Sequence, residues 1–139
     1  MIGDDPLNKQ YVNYIHSLKS DKVIFLGRIY GDKYEQLSSK AFCYISASEV
    51  EGTSPALLSA MGFKTPVLVS DIPENIETIK KYGTTFMTND ESDLIRKIEY
   101  VINNPLKVQN LSKKAFKMVK QLYSWEKVAD DLHKIYKRL

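Results

Sequence analysis

Three short, unbroken apolar runs constrain this chain more than any other feature: "VIFLG" at 23–27, "AFCYIS" at 41–46 and "PVLVS" at 66–70. They are rich in β-branched and aromatic residues and show no inside/outside alternation. Such runs suit strands covered on both faces, and strands covered on both faces are usually parallel. A shorter run, "TTFMT" at 84–88, is a fourth candidate. Amphipathic segments lie between them. Leu7, Tyr11, Tyr14, Ile15 and Leu18 fall on one helical face, and Leu94, Ile95, Ile98 and Ile102 on another. Strands alternating with helices over short connections predict an α/β fold, an open parallel sheet with helices on both faces.

Two helices are expected to close the chain. Leu111, Ala115, Met118 and Leu122 recur at helical spacing, with Lys113, Lys114, Lys117 and Lys120 opposite. Trp125, Val128, Ala129, Leu132, Tyr136 and Leu139 make a second stripe, with Ser124 as its N-cap. From residue 105 onward there are nine Lys or Arg against three acids. Such a tail suits solvated lysine faces, or contact with anionic lipid or a partner. The helical periodicity favours the solvated faces.

At 139 residues the chain is long enough for one domain with its own core. The single cysteine, Cys43, excludes an internal disulfide framework and fits a reducing compartment. Its apolar run predicts a buried, inert thiol. The expected location is cytoplasmic, or peripheral at the inner face of the plasma membrane. No apolar run approaches the ~18 residues of a spanning helix. A net charge of +3 is too small to imply nucleic acid. The opening "MIGDDP" reads as the last step of a strand entering a turn. The chain is therefore expected to be a piece of a longer protein, lacking a first strand.

In a parallel sheet the loops after the strands gather on one rim, where ligands bind. The rim segments here are "GDDP", "GRIYGDK", "SASEVEGTS" and "SDIPEN". His16 and His133 fall on helices, so no Ser-His pair, metal cluster or CxxC is expected there. Asp4 and Asp5 sit in an ordinary turn sequence. "SDIPEN" reads as a strand-to-helix turn with Pro73 in the first helical turn, although sugar or acceptor contact suits its rim position. The third loop carries the most chemistry. Gly52 admits close backbone approach, Thr53 or Ser54 caps the next helix, and Pro55 suits its first turn. Free N–H groups and the helix dipole there favour a phosphate or pyrophosphate. A well-capped helix without a ligand would carry the same residues.

The order and spacing of further pieces decide between the two. After "FLG" come Ser48, Glu51 and Gly52, then Ala60-Met61, Pro66-Val67, Ser70-Asp71, and finally Trp125 with Tyr136. Over nearly its whole length the chain resembles the C-terminal domain of a retaining GT-B glycosyltransferase of family 4, the "glycosyl transferases group 1". The resemblance implies a Rossmann-like half of a GT-B fold that binds a nucleoside-diphosphate sugar. It implies that Glu51 contacts the transferred sugar, and that the N–H groups of Thr53, Ser54 and Ala56 beside Gly52 hold the pyrophosphate without a metal. Ser59 would face the ribose, Arg28 and Ile29 would border the base, and Lys33 would be a rim cation. Glu49 is placed among the donor contacts of the Glu51 loop. A carboxylate at an anion site then makes sense, because it accepts hydrogen bonds from sugar hydroxyls and lies near a centre that turns cationic as the sugar departs.

Three departures stand out. The family's second glutamate, eight residues after the first, is Ser59. Losing a charged hydrogen bond costs about 1.5–3 kcal/mol, so nucleotide binding is expected to weaken roughly ten- to a hundredfold. Lys64 replaces a glycine, with Gly62 expected to end the helix instead. The basic pair that neutralises the phosphates would lie upstream of Met1. The expected partners are a nucleoside-diphosphate sugar, a glycan or lipid-linked acceptor, and an N-terminal acceptor domain, with the chain inactive alone. A degenerate, non-catalytic binding module is the alternative. A sugar-nucleotide epimerase is weaker, for want of acid/base residues on the rim.

Overall fold

The computed structural model describes residues 1–3 and 8–138. These residues fall into two compact units, Met1–Leu37 and Ser38–Leu139. Asp4, Asp5, Pro6 and Leu7 lie outside the described residues, and with them most of the expected "GDDP" turn; so does Leu139.

In the larger unit three strands form a parallel sheet: β1 (Tyr44–Ser46), β2 (Val67–Ser70) and β3 (Thr84–Phe86), in that spatial order. Tyr44 aligns with Val67, and Leu68 with Thr84. All four residues of the central strand are buried, as an unbroken apolar run in mid-sheet requires. The edge strand β1 is shorter than the "AFCYIS" run, and Phe42 and Ile45 remain exposed.

Helix α3 (Pro55–Gly62) follows β1, and α4 (Pro73–Ile79) follows β2. After β3 come α5 (Glu91–Asn103), α6 (Pro105–Leu122) and α7 (Trp125–Tyr136). The core forms where α3 meets α6 and the sheet. Leu57, Ala60 and Met61 pack with Val67, Val69, Ile79, Ala115 and Met118. Three of the eight α3 residues are fully shielded, so truncating Leu57 to Ala costs about 2–5 kcal/mol.

The expected stripes are buried only in part. Helix α6 buries Val108, Ser112, Ala115 and Met118, while Leu122 is exposed. Helix α5 buries Asp93 and Val101 and leaves Ile95 and Ile102 outside. The reason for the buried acid is local. Asp93 accepts from the N–H of Met87 at 2.8 Å and pairs with Arg96 at 3.0 Å. Helix α7 begins as expected, Ser124 accepting from the N–H of Lys127 at 3.2 Å, but it buries none of its residues.

Helix α3 ends at the expected place. Gly62 is its last helical residue, and Lys64 takes the left-handed conformation, φ 62°. That conformation strains a residue with a Cβ. The Lys64 ammonium lies 4.7 Å from the centre of the Phe116 ring, a cation–π contact that offsets part of the strain.

Beside β3 runs a groove of about 440 Å³ lined by Gly83, Thr84, Thr85, Arg96, Lys97 and Tyr100, among others. No helix among the described residues is long and apolar enough to cross a membrane.

In the smaller unit, α1 (Lys9–Ser17) is capped by Asn8, which accepts from the N–H of Tyr11 at 3.1 Å. Residues 23–27, expected as a strand, form none, and Gly27 turns left-handed at φ 63°. They bond to the chain start through Leu26 N–H to Met1 O at 3.0 Å and Gly3 N–H to Gly27 O at 2.8 Å. Their apolar character calls for cover on both faces, and this unit leaves Ile24 67% and Leu26 42% exposed. His16 stacks on Phe25, ring centres 4.5 Å apart. Helix α2 (Asp32–Lys40) starts among the residues of this unit, its last three residues being counted with the next.

Candidate functional site

The site is built where β1 hands over to α3. The strand stops at Ser46, and residues 47–54 cross the carboxyl edge of the sheet before the helix starts at Pro55. Ser54 is the cap: its backbone is extended (φ −74°, ψ 112°) and its hydroxyl accepts from the N–H of Leu57 at 3.5 Å. Pro55 occupies the first turn, where a missing N–H costs nothing. Ala56 follows it among the first-turn positions whose amides lack intrahelical acceptors. Gly52 and Thr53 are exposed, and a Cβ built on Gly52 would meet nothing within 4 Å. The helix opening is therefore clear of side chains at Gly52.

The Glu51 carboxylate is half-buried. Its Oε1 accepts from the Ser48 hydroxyl at 2.8 Å, and the Ser46 and Ser48 hydroxyls lie 3.0 Å apart. Ser59 is half-buried on α3, and Glu49 is exposed in the loop before Glu51. Glu51, Gly52, Thr53, Ser54, Ala56 and Ser59 thus follow one another through this loop and helix. Arg28, Ile29 and Lys33 belong to the smaller unit, Arg28 and Lys33 exposed and Ile29 half-buried.

The neighbouring rim loop divides by burial. Ser70 and Asn75 are 1% and 2% exposed and bond each other, Asn75 Nδ2 donating to Ser70 O at 3.1 Å and to its Oγ at 3.0 Å. They face the interior and hold the loop. Asp71 and Glu74 are exposed. Asp71 Oδ1 accepts from the Thr88 hydroxyl at 2.7 Å and the Thr88 N–H at 2.8 Å, tying the β2 and β3 loops together. Those bonds, the hydroxyl's first, hold the Asp71 carboxyl below its ordinary value. Sequence reasoning missed this tie; a lone Thr two residues past a strand carries no signal for it.

Cys43 is half-buried where full burial was expected, because the "AFCYIS" run lies at a sheet edge. Desolvation still pushes its thiol up to about 11. His16 and His133 are exposed. Among the described residues no group of three or more His, Cys, Asp or Glu is placed to hold a metal.

Against known proteins, the family model described as "Glycosyl transferases group 1" matches residues 1–118. The chain belongs to this family. Among curated relatives, the glycosyltransferase 1 domain-containing protein 1 of Xenopus tropicalis is 25% identical over 123 residues, 88% of this chain and 35% of that protein. Two solved structures share the fold. Sucrose-phosphate synthase from Thermosynechococcus elongatus superposes with a TM-score of 0.83 at 22% identity, over 99% of this chain and 37% of that one. Anabaena HepE, solved in complex with UDP, gives 0.90 at 18% identity, over 99% and 40%. The chain thus spans little more than a third of each of these proteins, and its α/β architecture is that of a GT-B glycosyltransferase domain.

Proposed function

We propose that this chain is the donor-binding domain of a retaining glycosyltransferase of hexosyltransferase type. The whole enzyme moves a sugar from a nucleoside diphosphate to a glycan or lipid-linked acceptor, as cell-surface polysaccharide or lipopolysaccharide synthesis requires. The observation that carries this is the placement of Glu51. A half-buried carboxylate, fixed by Ser48, stands at the lip of a capped helix whose opening is unobstructed at Gly52.

Each part has a physical task. The first-turn amides of α3 and its dipole attract the diphosphate, which keeps the leaving group stable without drawing on a metal. Gly52 lets the backbone approach it. Glu51 accepts from the sugar hydroxyls and places negative charge near the anomeric centre as positive charge develops there. Ser59 offers the ribose one hydroxyl where a carboxylate would offer two oxygens, which weakens the nucleotide part. Glu49 completes the loop that meets the donor. HepE was solved with UDP, which supports a uridine or related diphosphate as the anchor.

The acceptor site belongs to a further domain, so the 139 residues alone transfer no sugar. The enzyme works at the cytoplasmic side, soluble or against the membrane. Titration with UDP-, GDP- and dTDP-sugars tests the reading. Saturable binding that Glu51→Ala weakens supports it. Silence with every nucleotide refutes it, and leaves the second reading, a non-catalytic partner module, which Ser59 favours.

A further inference from the structure

Glu51 is held by a wire of hydroxyl groups whose direction can be worked out. Each serine hydroxyl owns one proton. Ser48 gives its proton to Glu51 Oε1 at 2.8 Å, since an ionised carboxylate can only accept. The 3.0 Å contact between Ser46 and Ser48 must then run from Ser46 to Ser48. Two hydroxyls in series, both pointing at the carboxylate, polarise each other and strengthen the terminal bond. The backbone of Ser48 is anchored as well: the Ser70 hydroxyl donates to its carbonyl. Ser70 in turn accepts from Asn75, and both are shielded from water. An interior bond of this kind leaves no competing solvent partner.

We infer that Ser48, oriented by Ser46 and anchored through Ser70 and Asn75, is a positioning residue that presents the Glu51 carboxylate in one orientation to the donor sugar. The chain of bonds links α4, the end of β2 and the end of β1 to a single acid. It occupies Oε1 and leaves Oε2 without a protein partner among the described residues. A free glutamate side chain samples many rotamers and loses that freedom on binding. Here the protein has already fixed it, so the sugar meets an acceptor in place. The inference rests on the donor-site reading, and it goes beyond it by naming what orients the acid.

The test uses the 139-residue chain with Ser48→Ala, Ser48→Thr and Ser46→Ala, and two measurements. Side-chain scalar couplings of Glu51, read by NMR without ligand, report its rotamers. A single rotamer is expected in the parent chain, averaging in Ser48→Ala, intermediate averaging in Ser46→Ala, and recovery in Ser48→Thr, which keeps the hydroxyl. A Glu51 that is already averaged in the parent, or unchanged in Ser48→Ala, overturns the inference. Calorimetry then compares UDP with UDP-glucose, and GDP with GDP-mannose. Ser48→Ala should lower affinity for the sugar nucleotide roughly three- to tenfold and leave the bare nucleotide unchanged. An equal loss for both means a general structural role and overturns it. If no nucleotide binds to any chain, the donor-site reading fails, while the couplings still decide whether Ser48 orients Glu51.

Discussion

Two glycines twenty-one positions apart should respond to the same substitution with opposite signs. A Cβ built on Gly83 would lie 2.8 Å from Val67 Cγ2, 3.1 Å from Ile79 Cδ1 and 3.2 Å from Ile79 Cβ. None of these can yield cheaply. Val67 is a β-branched residue of the central strand, 4% exposed and stiff at χ1, and Ile79 is 1% exposed with its Cβ fixed to the backbone of α4. Overpacking of this kind costs about 1–3 kcal/mol, while the stiffer unfolded chain returns about 0.4–1 kcal/mol. Taking the middle of each range, Gly83→Ala should therefore destabilise by about 1.3 kcal/mol and lower Tm by about 3–6 °C. Gly62 has ordinary helical geometry and open space at its Cβ. Gly62→Ala should stabilise by about 0.5 kcal/mol, since alanine outranks glycine in a helix. Urea and thermal melts followed by circular dichroism measure both. A Gly83→Ala chain as stable as the parent, or more so, would refute the close packing of β2, α4 and the start of β3.

Three further outcomes follow from other contacts. The Asp71 carboxyl, held low by Thr88, contributes stability that is complete above the unfolded value and lost as pH falls through the folded one. The gap between the parent and Asp71→Asn should thus be constant near neutrality and close below about pH 4 in urea melts; a gap that widens in acid would contradict it. With its thiol pushed up to about 11, Cys43 should react with a disulfide reagent at pH 7 roughly a hundredfold more slowly than in the unfolded chain, and equal rates would show it is solvated. Ser54→Ala removes the cap of α3 and should cost about 0.5–1 kcal/mol in the same melts, whereas Ser54→Asp, which can still accept from Leu57, should cost little.

Legibility followed the range of the forces involved. "PVLVS" and "TTFMT" announced β2 and β3 because a buried strand must be apolar along its length. Ser54, Pro55 and Ser124 announced helix starts because capping is settled within a few residues. What failed to show was anything decided by a distant neighbour. "VIFLG" has the composition of a covered strand, yet Ile24 and Leu26 lie open in their unit. Leu122 carried the right period for a buried stripe, yet of that stripe only Ala115 and Met118 are buried, joined by Val108 and Ser112. Gly62 ends α3 as its sequence suggested, but nothing local announced that Lys64 would turn left-handed with its ammonium over Phe116. At the candidate site, the capped start of α3 was legible from local spacing, while the role given to Glu51 came from the family resemblance. The Ser70–Asn75 bond that steadies the same rim spans two elements, and nothing in "SDIPEN" separates those two from the exposed Asp71 and Glu74.

The last strand of the sheet has a consequence for solubility. Among the described residues β3 pairs on one side only, and a half-paired strand is a template on which a stray chain can build. Here the exposed flank is three residues long, and Arg96 and Lys97 stand along the groove beside it. An incoming segment would have to bury two cations against its own backbone, so the charges act as gatekeepers. Replacing Lys97 with an apolar residue would weaken that guard and favour growth of a foreign strand along this margin.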